Sequence, residues 1–314
     1  MSLISLLIAL LSERYLTNKL WHFNTYYKKY SQLVLKDDAT GSNIKSTIMM
    51  VLVLLLPTLV CYLLLEQLGN SFLYLVASTV ILIICFGCSQ TRDTYKRYLV
   101  AAFKGETTTC DLIHKEFLQN KQLPQMGFGQ ALVWLNYRYF IAVMLFFVIF
   151  GAPGAVFYRL LTSLNERSVT QSKTQNNTQQ TTQDINSEVT QDNEPDITLE
   201  TDTKSENTHV DAESNVCISS KILFVADWLP VRIIALGYML VGHFSKAVPV
   251  WLANLFDLNM PSYEVLTSVA QKSEDFMLET EDCSAEPCSL VRLAKRTLLL
   301  CLAFISILIL TGVL

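Results

Sequence analysis

Long apolar runs dominate the pattern of hydrophobic and polar positions along this chain of 314 residues. Three runs, Ser46 to Leu65, Ser71 to Cys88 and Thr297 to Leu314, contain no Lys, Arg, Asp or Glu. A helix needs about 20 mostly apolar residues to cross the hydrocarbon layer, where it satisfies its own backbone polar groups. The pattern therefore predicts a membrane-spanning helix in each run.

Two other apolar runs depart from this pattern. The run from Tyr139 to about Leu161 contains Gly151-Ala-Pro-Gly154, which predicts a bend or break in the helix. The run from Met1 to Leu11 is too short to span comfortably and lacks both a basic segment before it and a small-residue cleavage site. We expect a short helix of the bundle there and no removable signal peptide.

The three long runs and the broken run make four candidate spans. A fifth, Ile222 to Phe244, carries charged residues. Asp227, Pro230 and Arg232 lie in its first half. A charge at the middle of a membrane helix costs roughly 2.5 to 3.5 kcal/mol on insertion scales. This helix is therefore predicted to lie near an interface or to face protein.

Together these elements predict an all-α fold, a polytopic membrane helical bundle with about five or six membrane helices. Residues 164–220 are rich in Thr, Gln, Asn, Ser, Asp and Glu and almost free of aromatic residues, so we expect a disordered acidic linker there. The expected segments are an N-terminal helix with a basic cytoplasmic part (1–45), a transmembrane hairpin (46–88), a cytoplasmic helical loop (89–138), a broken transmembrane helix (139–163), the linker (164–220), a proline-containing membrane helix (221–256), a cytoplasmic segment (257–296) and a C-terminal transmembrane helix (297–314).

Composition supports the membrane class. Hydrophobic residues make up 51% of the chain and charged residues only 17%, a balance that soluble domains of this size rarely show. A soluble globular enzyme is thereby disfavoured. The linker holds most of the acidic excess, which explains a net charge of −4 on a chain whose other loops are basic.

Basic residues predict the orientation in the membrane. They cluster before the first long span and after the second, and the hairpin tip between these spans has none. Under the positive-inside rule both clusters are cytoplasmic, and Arg292, Lys295 and Arg296 place the start of the last span on the same side. The chain is then a multi-pass protein of the bacterial inner membrane with its linker outside, although long loops translocate largely regardless of charge.

Motifs for redox, metal or nucleic-acid chemistry are weak. Cys85 and Cys88 have the spacing of a redox pair, but they lie at a helix C-terminus, where the dipole does not activate a thiol. The four histidines lie far apart in the sequence, so we expect no metal site and no cofactor. Basic and aromatic residues alternate from His22 to Tyr30, beside a membrane, which favours contact with anionic lipid headgroups over nucleic acid.

Ionisable residues within the apolar runs are the candidates for function. Such residues are costly unless they are paired or used. The ordinary alternative is that long side chains extend to the interface, and the sequence does not decide between the two. The candidates for ligand binding or for coupling helices are Glu13, Arg14, Arg138, Tyr158, Arg159, Asp227, Arg232, His243 and Lys246.

Several separated blocks of the sequence resemble the AmpE family of inner-membrane proteins associated with β-lactamase induction. The resemblance covers nearly the whole chain except the linker. The blocks include Glu13-Arg14, Arg92 with Tyr95 and Tyr98, Ala131 to Arg138, Asp227-Trp-Leu-Pro-Val-Arg232, Gly242-His243 with Lys246, and Tyr263 to Gln271.

A wider resemblance connects the chain with the cobalamin-biosynthesis membrane proteins called CbiB or CobD. Gly151 to Ala155, Tyr158-Arg159 and Pro230-Val-Arg232 are similar to motifs of that family. The Gly-Asp-Pro and His-Pro-Val motif that follows the first helix there has no equivalent between Leu16 and Phe23.

These resemblances imply a function. The AmpE resemblance implies a regulatory or sensory membrane protein that modulates β-lactamase induction, and the response to β-lactam antibiotics, through cell-wall recycling signals. The wider resemblance implies, as the alternative, an ATP-dependent amide-forming synthase of the adenosylcobinamide-phosphate type. A small-solute transporter built around the broken helix is a weaker third hypothesis. The expected partners are the lipid bilayer and either cell-wall-derived small molecules or other membrane proteins, with no nucleic acid.

Overall fold

The computed structural model describes residues 2–13, 23–34, 43–68, 71–87, 89–188, 204–274 and 283–312. This part of the chain is all-α and contains no strand, as the apolar pattern predicts. Its helices are α1 (Ser2–Glu13), α2 (Phe23–Val34), α3 (Asn43–Gln67), α4 (Ser71–Cys85), α5 (Ser89–Phe103), α6 (Thr107–Asn120), α7 (Phe128–Asn136), a π-helical turn (Tyr137–Ile141), α8 (Ala142–Glu188), α9 (Lys204–Val241), α10 (Phe244–Asn254), α11 (Ser262–Ser273) and α12 (Ala285–Leu310).

Three helices of the described part are long and apolar enough to cross a membrane: Phe128–Arg167, Ile218–Val241 and Ala285–Leu310. The segments Phe72–Cys85 and Gln90–Phe103 meet at an angle of 44° and make a fourth if they form one broken span. Shorter apolar helices run over Leu3–Ser12 and Val51–Gln67. The chain is thus a helical membrane protein, and the number of five or six membrane helices stays a prediction.

Apolar side chains cover much of the outer surface of the bundle. Leu59 on α3 and Leu299, Phe304 and Ile307 on α12 are each more than half exposed. Soluble proteins rarely leave such a surface in contact with water, whereas it is stable in contact with lipid chains.

The helix formed by α7, the π-helical turn and α8 is broken at Gly151. This residue has φ 71° and ψ −162°, a backbone conformation that is essentially restricted to glycine. Gly154 is also required, because a Cβ there would lie 2.5 Å from the Phe146 carbonyl oxygen. The break coincides with the Gly-Ala-Pro-Gly stretch of the sequence.

The long helix α9 lies at the centre of the fold. It packs against α3, α8, α11 and α12. Small residues permit the close approach: a Cβ at Gly237 would lie 3.0 Å from Thr297 Cγ2, and one at Gly242 would overlap the Ser273 carbonyl. The His243 amide donates to that same carbonyl oxygen at 2.7 Å.

The polar segment predicted to be disordered is partly helical. Helix α8 continues to Glu188 and α9 begins at Lys204, while residues 189–203 lie outside the described residues. Extending an existing helix adds one hydrogen bond per residue and needs no new nucleus. A polar sequence that cannot form a core can therefore prolong a helix that is already anchored, and the bounds expected for the linker stay a prediction.

Candidate functional site

A buried carboxylate joins three elements of the bundle. Tyr137 in the π-helical turn and Tyr158 on α8 donate hydrogen bonds to Asp227 Oδ1 on α9, at 2.9 and 2.7 Å. Both tyrosines are fully buried and Asp227 is 2% exposed. Hydrogen bonds to an ionised acceptor are stronger than those between neutral groups, so the carboxylate holds the three elements together.

Arg138 supplies positive charge beside this carboxylate. Its guanidinium interacts electrostatically with Asp227 and Tyr158, and it lies 5.3 Å from the centre of the Trp134 ring. The side chain is 8% exposed, yet Arg138 Nε has no hydrogen-bond partner. The site therefore contains a buried cationic donor that its own protein groups do not fully satisfy.

Arg159, the neighbour of Tyr158, lies between two aromatic rings. Its guanidinium carbon is 4.4 Å from the centre of the Tyr139 ring and 5.3 Å from that of Phe23. Aromatic faces attract a cation but accept no ordinary hydrogen bonds. Arg159 Nε and Nη1 are buried without hydrogen-bond partners, so this second arginine also has donors available for an anionic group.

Arg232 lies apart from this cluster. Five positions on a helix turn a side chain by about 140° away from that of Asp227. Arg232 donates from Nε to the Leu255 carbonyl at 2.6 Å, from Nη1 to the Trp228 carbonyl at 2.9 Å and from Nη2 to the Asp257 carbonyl at 2.6 Å. It satisfies carbonyls beyond the C-terminus of α10 and fixes that end to α9.

The remaining candidates from the sequence are not brought into the cluster. His243 and Lys246 are exposed at the start of α10. Glu13 ends α1, but its side chain and all of Arg14 lie outside the described residues. The structure thus brings Arg138, Tyr158 and Asp227 together and adds Tyr137, which sequence reasoning missed, while Arg159 lies next to this cluster against Tyr139. A tyrosine within an apolar run resembles an ordinary core residue, and nothing in the neighbouring sequence identifies Tyr137 as part of a site.

A cavity of about 690 Å³ lies beside the π-helical turn, between α1, α5, α7 and α12. Arg92 and Lys96 of α5 and Lys295 of α12 line it, together with Thr91 and Asn136. In the sequence these cations predict membrane orientation, and Arg92 also belongs to the AmpE-like blocks. They come from two distant parts of the chain, so spacing along the sequence could not bring Lys295 to Arg92 and Lys96.

The chemistry open to these sites is recognition of an anion. No group of three or more His, Cys, Asp or Glu in the described residues could hold a metal ion. The Asp227 oxygen already accepts two hydrogen bonds. A second carboxylate, Glu166, accepts a hydrogen bond from Tyr139 at 2.8 Å and interacts with Arg138. Arg138 and Arg159 both keep spare donors. Such an arrangement is suited to binding and to coupling helices.

Fold and site together define an α-helical membrane protein with a buried charged cluster at its centre. The family model described as "Regulatory signalling modulator protein AmpE" matches residues 1–189 and 203–314, and the chain belongs to this family. It is 26% identical over 252 residues to Protein AmpE of Shigella flexneri, covering 74% of this chain and 72% of that protein. No solved structure matches it. The relation to the cobalamin proteins stays a prediction.

Proposed function

We propose that this protein is a multi-pass sensor of the bacterial inner membrane that modulates β-lactamase induction, and hence the response to β-lactam antibiotics. The observation that carries the proposal is the match to the regulatory signalling modulator family over nearly the whole chain. In this proposal the signal is a small molecule derived from cell-wall recycling.

The buried cluster supports a sensory role because it couples separate elements. Asp227 connects α9 to the π-helical turn and to α8, and α8 is broken at Gly151, seven residues before Tyr158. An anion that binds Arg138 or Arg159 more tightly in one arrangement of these helices shifts the population toward that arrangement. The helix break gives α8 a position at which it can change direction.

The test is made in the bacterium that encodes the chain. Deleting the gene is expected to change the β-lactamase activity induced by a β-lactam, and a plasmid copy is expected to restore the original profile. Asp227→Asn is expected to fail to restore it, because a neutral amide no longer compensates the charge of the buried Arg138. An immunoblot of the membrane fraction checks that each variant is present.

Arg97→Gln is the matched control. Arg97 forms an ion pair with Glu116 at 3.7 Å on an exposed surface, so its loss removes a charge without touching the cluster. This variant is expected to restore induction fully. An unchanged induction profile in the deletion strain would refute the regulatory function, whereas full restoration by Asp227→Asn would refute only the role of the cluster.

A further inference from the structure

The cavity beside the π-helical turn has the composition of a binding site for an anionic amphiphile. Three cationic residues line it: Arg92, Lys96 and Lys295. None of the described residues that line the cavity carries a carboxylate. The side chains that line the cavity therefore carry a net positive charge.

Two buried polar atoms at the cavity have no partner within the protein. Thr91 Oγ1 and Asn136 Oδ1 are both buried without a hydrogen bond, and both residues line the cavity. Leaving such an atom buried and unsatisfied costs free energy, so a ligand or solvent group is expected to satisfy it. Asn136 Oδ1 is an acceptor, so the ligand that satisfies it carries an O–H or N–H group as well as negative charge.

The rest of the lining is apolar except for Tyr95, whose hydroxyl donates to Cys288 Sγ at 3.6 Å. Leu10, Leu132, Phe140 and Val291 come from four different elements. A volume near 690 Å³ is within the range of about 300–1,000 Å³ that ligand pockets occupy. An occupant that matches the whole lining has an anionic, hydrogen-bonding end and a hydrocarbon part.

We propose that this cavity binds a phosphate-bearing amphiphile, with its phosphate at Arg92, Lys96 and Lys295 and its hydrocarbon part against Leu10 and Phe140. Cations together with a hydroxyl and an amide oxygen match a phosphomonoester, which offers both charged oxygens and a P–OH donor. This site is separate from the Asp227 cluster and does not depend on the proposed role in β-lactamase induction.

Asn136 connects the cavity to the buried cluster through the main chain. It is the last residue of α7 and immediately precedes Tyr137 and Arg138 in the π-helical turn. A ligand that bonds to Asn136 therefore stabilises the start of the turn that holds the tyrosine and arginine of the cluster.

The experiment is a titration of the purified full-length protein in a neutral detergent, followed by native mass spectrometry. The probes are phosphatidic acid, phosphatidylcholine of the same acyl chains, and glycerol 3-phosphate. Phosphatidic acid is expected to bind the wild type at least tenfold more tightly than the double variant Lys96→Gln/Lys295→Gln, because that variant removes two cations from the cavity.

The matched control is Lys104→Gln/Lys115→Gln. It removes the same total charge at two exposed positions that do not line the cavity, and its affinity for phosphatidic acid is expected to equal that of the wild type. Equal weakening in both double variants would overturn the proposal, since binding would then follow net charge alone. An affinity for phosphatidylcholine equal to that for phosphatidic acid would also overturn the proposal.

Glycerol 3-phosphate distinguishes the two sources of the phosphate. If phosphatidic acid binds in the charge-dependent way and glycerol 3-phosphate does not, the site takes a membrane lipid. If glycerol 3-phosphate alone shows the dependence on Lys96 and Lys295, the site takes a soluble phosphomonoester, and the hydrocarbon part of the proposal is overturned. Asn136→Leu is expected to weaken whichever probe binds by several-fold, and unchanged affinity in this variant would overturn the assignment of the polar end.

Discussion

At the scale of single residues, the fold compensates its buried charges in two ways. Arg232 donates to main-chain carbonyls around the end of α10, so its hydrogen-bonding capacity is largely used within the protein. Arg138 and Arg159 instead rest on aromatic rings and keep unpartnered donors. The first arrangement is what a structural arginine requires, whereas the second leaves hydrogen bonds available to a ligand.

Removing one hydroxyl from the Asp227 site tests how much these hydrogen bonds stabilise the bundle. Tyr158→Phe is expected to lower the free energy of unfolding by about 1.5 kcal/mol, since hydrogen bonds to charged groups contribute about 1.5–3 kcal/mol in soluble proteins and at most about 1.7 kcal/mol between membrane helices. Unfolding in mixed detergent micelles measures the change. Tyr62→Phe, at an exposed position, is the control; equal stability of the two variants would contradict the role of the Asp227 bond.

Arg232→Lys tests the structural role of the arginine whose donors are used within the protein. Lysine keeps the charge but loses the planar fork that reaches three carbonyls at once. We expect this variant to lose about 2 kcal/mol of stability because buried carbonyls lose donors, and to retain any binding of anions at the Asp227 cluster. Arg97→Lys at the exposed ion pair is the control, and an Arg232→Lys protein as stable as that control would show that the carbonyl contacts contribute little.

At the scale of elements, some features follow from local sequence and others depend on packing. The Gly151 break follows from local rules. Glycine permits backbone conformations that other residues avoid, and proline removes a helix hydrogen bond, wherever they occur. The π-helical turn has no such signal, since it depends on how Tyr137 and Arg138 fit against α8 and α9. The sequence also grouped Asp227 with Arg232 in one motif, but helix geometry directs them to different neighbours.

Substitution of Gly151 tests whether the break is built into α8. An alanine at φ 71° and ψ −162° is strained by about 1–3 kcal/mol. Gly151→Ala is therefore expected either to lower stability by that amount or to straighten α8 and displace Tyr158 from Asp227. Unfolding in micelles measures the first, and a double-mutant cycle with Tyr158→Phe detects the second as a loss of coupling.

Gly127→Ser is the control for that experiment. Gly127 has φ −60°, which any residue adopts, and serine is a favourable N-cap. This variant is expected to be at least as stable as the wild type. A Gly151→Ala protein that behaves like the Gly127→Ser protein would show that the break carries no strain for a side chain.

At the scale of the whole molecule, α8 and α9 form an antiparallel pair that determines where the linker emerges. Tyr158 contacts Asp227, and Asn165 contacts Ser219, so positions later in α8 meet positions earlier in α9. The end of α8 and the beginning of α9 therefore lie on the same side of the bundle. If both helices cross the membrane, the positions around Asn165 and Ser219 lie on the same side of it.

The charge pattern predicts which side it is. Basic residues before α3, around α5 and at the start of α12 place those segments in the cytoplasm, and the linker is acidic. If α8 and α9 each cross the membrane once, the linker lies in the periplasm. A protease added to intact spheroplasts is then expected to cut within residues 164–220, and to cut the loop of residues 104–127 only after lysis. Protection of the linker before lysis would reverse the assigned orientation while leaving the antiparallel pair unchanged, because that pair rests on contacts within the bundle.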